Sequence, residues 1–297
     1  MTIADTGYVC RYCRQPSDPS GVSCPRCGAP IDVTAIVSRS GWMKQPPIKD
    51  MARIQFGQSH VQIEGRQVPT ADFALAPGDS IYFGHHTMLW LDPATRLQAM
   101  SMAGGWKRMI AGLPVIMTQA SGPGHIALSD DHAGEIVALP LNVGQQIWVR
   151  EHRFLAASGN LTYGFEANNI WIQTGSGNDA KTTYPLGWIG DRFSAQNNAA
   201  LLLLHAPGNT FVRDLAAGES ILIQPTALLY RDLSVQAQLH IEYPRTQGFF
   251  SMFNRFSYRH VWLRLSGPGR VAMQSVFERE EESEMITGIS AATEHRW

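Results

Sequence analysis

The stretch "LAAGESILIQPTALLYRD" (Leu215–Asp232) has no helical period. A leucine precedes a turn at Gly218, the polar pair Glu219-Ser220 follows, and an apolar strand runs to a break at Gln224-Pro225. A second apolar strand then begins. The same grammar recurs in "LAPGDSIYFGHHTMLW" (Leu75–Trp90), with its turn at Gly78. It recurs again in "LPLNVGQQIWVREHRFLAAS" (Leu139–Ser158), with its turn at Gly144. Strand–turn–strand units with no helices between them predict an all-β fold. Its antiparallel sheets close as a sandwich or barrel.

A further pair of copies marks the corners. "SGPGHIALS" begins at Ser121 and "SGPGRVAMQS" at Ser266. Pro before Gly predicts a type II turn, with positive φ at Gly124 and Gly269. Around these corners "ARIQFGQSHVQIEG" (Ala52–Gly65) and "SVQAQLHIEYP" (Ser234–Pro244) alternate apolar and polar residues, the period of a half-buried strand. "AALLLLHA" (Ala199–Ala206) reads as a buried strand and is too short to span a membrane.

On "SGPGHIALS", "GEIVALPLNVGQQIWVREHRFLAAS" and "WLRLSGPGRVAMQS", the stretch from Met51 to Phe277 resembles the altered-inheritance-of-mitochondria family numbered twenty-four. That family is also described as similar to the tryptophan RNA-binding attenuation protein. The resemblance implies a β-sandwich of repeated units that self-associates, and no catalytic residues. Its mitochondrial members are linked to inner-membrane organisation. The motifs are glycine corners and apolar strands, so they identify a fold rather than a chemistry.

All four cysteines of the 297-residue chain lie ahead of this region. Cys10-x2-Cys13 and Cys24-x2-Cys27 are two CxxC pairs joined by the turn-forming "SDPSG". Such pairs supply four thiolates in a tetrahedron, the arrangement of a structural zinc site. The alternatives are a redox dithiol pair and rubredoxin-like iron. The segment is similar to the zinc-ribbon family. Arg11, Arg14 and Arg26 lie beside the thiolates and can offset their charge. So short a segment cannot fold on a core of its own, so the metal stands in for one. The reading divides the chain into a zinc ribbon (1–30), a Pro-rich linker (31–50), a repeated β-domain (51–277) and an acidic tail (278–297). The linker predicts that ribbon and β-domain melt independently.

Composition narrows the function classes. The formal net charge is −1 and charged residues make up 16%. Near-neutrality disfavours nucleic acid or an anionic membrane as a broad electrostatic partner. The N-terminus lacks a basic start followed by an apolar stretch, so no secretory signal is expected, and the chain is placed in the cytoplasm. Paired cysteines there bind metal rather than form disulfides.

His85-His86 is the main catalytic temptation. Adjacent strand residues face opposite ways, so a core or interface role is expected instead. Glu151-His152-Arg153, at the matching strand of the second repeat, reads as a polar edge. No GxSxG, HExxH or P-loop occurs. Two loops combine aromatic, Met and basic residues. "AGGWKRMIAGLP" presents Trp106, Lys107, Arg108 and Met109, and "GFFSMFNRF" presents Phe249, Phe250, Met252 and Phe253. They are candidate surfaces for homo-oligomer contact or peripheral membrane contact. The function expected is a non-enzymatic assembly or scaffold protein whose zinc ribbon docks a protein partner. The alternatives are a nucleic-acid-binding regulator and a small-molecule-binding β-barrel.

Overall fold

The computed structural model describes residues 8–17, 23–30, 40–100, 117–175, 177–242, 260–278, 286–289 and 293–296. Among them every regular element is a strand or a short 3-10 turn. The chain divides into two compact units. The first comprises residues 1–146, 153–163 and 193–210. The second comprises 147–152, 164–192 and 211–297.

Two antiparallel sheets build the first unit. In one, Ala52–Phe56, Ser59–Glu64, Thr70–Leu75, Gly124–Ser129 and Met88–Leu91 lie side by side in that order. In the other the order is Gly134–Leu141, Ala200–Pro207, Phe154–Ser158, Ser80–Gly84, Met117–Ser121 and Arg96–Ala99. Alternation holds where the sequence shows it: inward residues of Ala52–Phe56 and Ser59–Glu64 are buried and the others more exposed. Ala200–Pro207 is buried along nearly its whole length because it is a central strand, paired with both Gly134–Leu141 and Phe154–Ser158. Ile54, Phe73 and Ile126 from the first sheet share a core with Ile81, Leu155 and Leu203 from the second.

In the second unit residues 147–149 pair with 230–232 of the strand Leu228–Asp232, which pairs with Gly269–Gln274. Ser220–Ile223, His260–Ser266 and Gln236–Glu242 form a further antiparallel set. The end of the chain, expected as a solvated tail, contributes strands. Ile286–Ile289 pairs with Ile172–Thr174, and Thr293–Arg296 runs parallel to Leu239–Glu242.

The three repeats share one turn. Gly78, Gly144 and Gly218 have φ of 88°, 87° and 81°. In each case the following N–H donates back three residues, from Asp79 to Ala76 (3.1 Å), Gln145 to Asn142 (3.0 Å) and Glu219 to Ala216 (3.0 Å). The i+3 bond with positive φ at the third position is the type II signature. The type II turns therefore sit here and not at the Gly-Pro-Gly corners. At those corners the Gly122-Pro123 and Gly267-Pro268 peptides are cis, and Gly124 and Gly269 have φ of 146° and 138°. The Gly122 and Gly267 N–H groups donate to the Asp79 and Glu219 carbonyls, at 3.1 and 2.9 Å, so each corner is tied to a repeat turn.

A side chain at either corner has no room. A Cβ on Gly124 would lie 2.3 Å from Thr95 Oγ1, and one on Gly269 would lie 2.6 Å from Ser234 Oγ. Gly124→Val and Gly269→Val are each expected to cost about 2–3 kcal/mol in denaturant melts, from backbone strain plus displacement of the neighbour. Unchanged midpoints would show that the corners accept a side chain.

Candidate metal centre

The two CxxC pairs fold as matching knuckles. The Cys10 N–H donates to the Gln15 carbonyl (2.9 Å) and the Arg14 N–H to that of Cys10 (2.8 Å). The Cys24 N–H donates to the Ala29 carbonyl (2.8 Å) and the Gly28 N–H to that of Cys24 (2.8 Å). The residue closing each knuckle has positive φ, 56° at Arg14 and 72° at Gly28. Glycine suits that conformation, whereas arginine adopts it at a cost of about 1 kcal/mol.

The four sulfur atoms lie within 4.8 Å of one another. Cys10 and Cys27 are 3.8 Å apart, as are Cys13 and Cys24. Cys10, Cys24 and Cys27 are buried and Cys13 is half-buried. Burial is the main reason the Cys10 and Cys27 thiols are pushed up from the ordinary range, because a lone thiolate there would lack solvation. A bound cation supplies the missing compensation, and the geometry can hold a metal ion. Arg11, Arg14 and Arg26 are exposed around it.

The knuckles are not a free module. The Arg53 N–H donates to the Cys27 carbonyl (3.0 Å) and the Gln55 N–H to the Tyr12 carbonyl (3.1 Å). The Tyr12 hydroxyl, on a buried side chain, donates to the Ala138 carbonyl at 3.1 Å. Cys10, Tyr12, Cys24, Cys27 and Ala29 belong to the same apolar core as Ile54 and Phe56. The knuckles thus pack into the first unit rather than standing apart from it, and the two parts are expected to melt together. Beside them lies a groove of about 650 Å³, lined by Cys13, Arg26, Lys49, Asp50, Arg53 and His60 among others. Burial, then the charge of Arg53, pushes the His60 imidazole down.

Other singled-out residues fall differently. His85–Thr87 form a 3-10 turn, not the expected strand. The Glu151 carboxylate accepts a hydrogen bond from the Trp188 N–H (2.8 Å) and packs where a Cβ on Gly187 would lie, so it braces the second unit. His152 is exposed. Trp106, Lys107, Arg108, Met109, Phe249, Phe250, Met252 and Phe253 lie outside the described residues.

Sequence reading missed His205, which sits inside the leucine-rich run and is 2% exposed. Burial is the main reason it is pushed down, helped by the charges of Arg153 and His132 and opposed by the Asp130 carboxylate and the His132 backbone. Its signal was a lone titratable residue in an otherwise apolar strand.

Among the described residues no helix is long and apolar enough to cross a membrane. A search of curated proteins finds no match. Among solved structures, a structural-genomics target protein from Streptococcus pyogenes, known from its X-ray crystal structure, is similar at 21% identity with a TM-score of 0.54. The match covers 74% of this chain and 94% of that one. At that identity the likeness establishes the fold. The family model described as mitochondrial biogenesis AIM24 matches residues 61–276, most of the repeated β region. The chain belongs to the AIM24 mitochondrial-biogenesis family.

Proposed function

We propose that the chain is a non-enzymatic assembly protein in which a structural zinc ion holds the knuckles and fixes a docking surface on the first unit. The observation that supports this is the convergence of four sulfurs on one point. An ion held by all four keeps no open position for water or substrate, which is the mark of a structural site. Family membership fits a non-enzymatic role of the mitochondrial-biogenesis type. Cysteines clustered for a metal ion rather than joined in disulfides fit a reducing compartment.

The docking surface is the groove beside the knuckles. Arg26, Lys49 and Arg53 outnumber Asp50 there, so its partner carries an acidic segment. The loops around Trp106 and Phe250 are the proposed sites of self-association or membrane contact.

Purified protein is expected to carry one zinc per chain by elemental analysis. The metal needs thiolates, so binding releases protons. Affinity is full at neutral pH and falls as acid protonates the cysteines. The triple variant Arg26→Glu, Lys49→Glu, Arg53→Glu should keep its zinc and its melting midpoint. It should lose the partner that co-purifies from native cells with the wild type. Retention of that partner would remove the docking surface. An RNA or DNA complex whose affinity falls steeply with salt, and which the triple variant loses, would move the nucleic-acid reading to first place.

A further inference from the structure

A second cluster of metal-ligating side chains lies on the first unit, built from nitrogen and oxygen donors. The turn between Gly124–Ser129 and Gly134–Leu141 carries Asp130, Asp131 and His132. Their donor atoms lie within 4.8 Å of one another. His132 Nδ1 is 3.0 Å from Asp130 Oδ1 and 2.6 Å from Asp131 Oδ1. By itself this is a surface ion-pair cluster, since His132 and Asp131 are 74% and 90% exposed.

His205 sets it apart. It approaches from the adjacent strand, where it pairs with Ile136. Its side chain is 3% exposed. Neither ring nitrogen has a hydrogen bond of good geometry; its polar neighbours are the Asp130 carboxylate and the His132 backbone. Nε2 is closed off by the backbone at Gly134, where a Cβ would lie 2.7 Å from it. Nδ1 points the other way, at Asp130 Oδ2, 3.5 Å distant. A buried imidazole nitrogen without a hydrogen bond of good geometry, facing a carboxylate, is an arrangement that a cation between them would complete.

We propose that Asp130, Asp131, His132 and His205 form a binding site for a divalent transition ion of the zinc type. His205 supplies a buried donor, Asp130 a half-buried one, and Asp131 and His132 the exposed ones. Zinc bonds of tetrahedral geometry hold neighbouring donors about 3.4 Å apart, close to the separation of His205 Nδ1 and Asp130 Oδ2. Two imidazoles with two carboxylates suit zinc, cobalt or nickel, whereas calcium and magnesium require oxygen donors. The exposed side chains have the freedom to open around an ion. An imidazolium at His132 bridging two carboxylates would account for the turn, but not for the orientation of His205. The site shares no residue with the cysteine centre, so either can fail without the other.

The test uses the full-length protein with its cysteine site loaded with one zinc per chain, titrated with Co²⁺. A second equivalent is expected to bind without a thiolate-to-cobalt charge-transfer band. His132→Gln and Asp131→Asn change exposed residues and should each weaken uptake at least tenfold while leaving the melting midpoint unchanged. His205→Gln should weaken uptake similarly. If that variant does not fold, the two surface variants decide. Excess Ca²⁺ should leave cobalt uptake unchanged, and displacement by Ca²⁺ would overturn the assigned ion class. Absence of a second equivalent in the wild type would overturn the site. So would wild-type uptake by both surface variants.

Discussion

Replacing Cys24 by serine is expected to destabilise the protein by more than about 4 kcal/mol, the range reached when a structural metal is lost. Zinc bound by small thiolate modules contributes on the order of 10 kcal/mol to their folding, so a module that loses a ligand loses its fold. In this chain the loss does not stay local. Cys24 is 1% exposed and shares a core with Ile54 and Phe56, and Tyr12 reaches from the first knuckle to Ala138. Unfolding the knuckles uncovers that apolar face and releases the Arg53 and Gln55 N–H groups. Denaturant melts of zinc-loaded wild type against the variant measure the effect, and chelator-treated wild type should reproduce it. An unchanged transition would show the knuckles to be separable after all.

Phe193→Ala is the second large effect, expected at about 3–5 kcal/mol. Phe193 is 0% exposed, and its ring centroid lies 5.0 Å from that of Phe154 and 5.4 Å from that of Tyr163. Tyr82 joins them, 5.6 Å from Phe154, and its hydroxyl donates to the Leu161 carbonyl at 3.0 Å. Four rings locked in this way cannot collapse into the space a benzyl group leaves. Phe193→Leu keeps most of the volume and should cost no more than about 1.5 kcal/mol. Urea melts with equal slopes for the three proteins would report the difference cleanly. A cost below about 1 kcal/mol for Phe193→Ala would show the cluster to be loosely packed.

The aromatic cluster shows where sequence reading ends. Alternation in Ala52–Gly65 and the repeated glycine turns are local signals, and they carried the all-β architecture. The CxxC pairs are equally local, so the four cysteines that cluster could be named by spacing. Tyr82, Phe154, Tyr163 and Phe193 come from four strands, and nothing within a few residues of any of them announces the other three. Tyr12 reads as a knuckle residue, yet its partner Ala138 lies 126 positions away. That distance is why a docked module looked like a linked one. The Gly-Pro-Gly corners failed for a different reason. The Pro-Gly order is compatible with more than one turn, and the type II pattern was carried by Pro77-Gly78, Val143-Gly144 and Ala217-Gly218. His205 was hidden because one polar residue does not disturb a strand pattern of seven apolar neighbours.

The hydrogen bonds from Arg53 and Gln55 to the knuckles have a consequence for solubility. Ala52–Phe56 is the outermost strand of its sheet. Such a strand presents unpaired N–H and C=O groups that template pairing with another chain. Here the carbonyls of Cys27 and Tyr12, in the two cysteine knuckles, occupy two of those donors. An ion bound by the four cysteines would thus act at a distance as an aggregation guard: metal starvation would bare a β-edge flanked by Ile54 and Phe56. The protein would then be driven toward chain-to-chain β-pairing before its interior has unfolded.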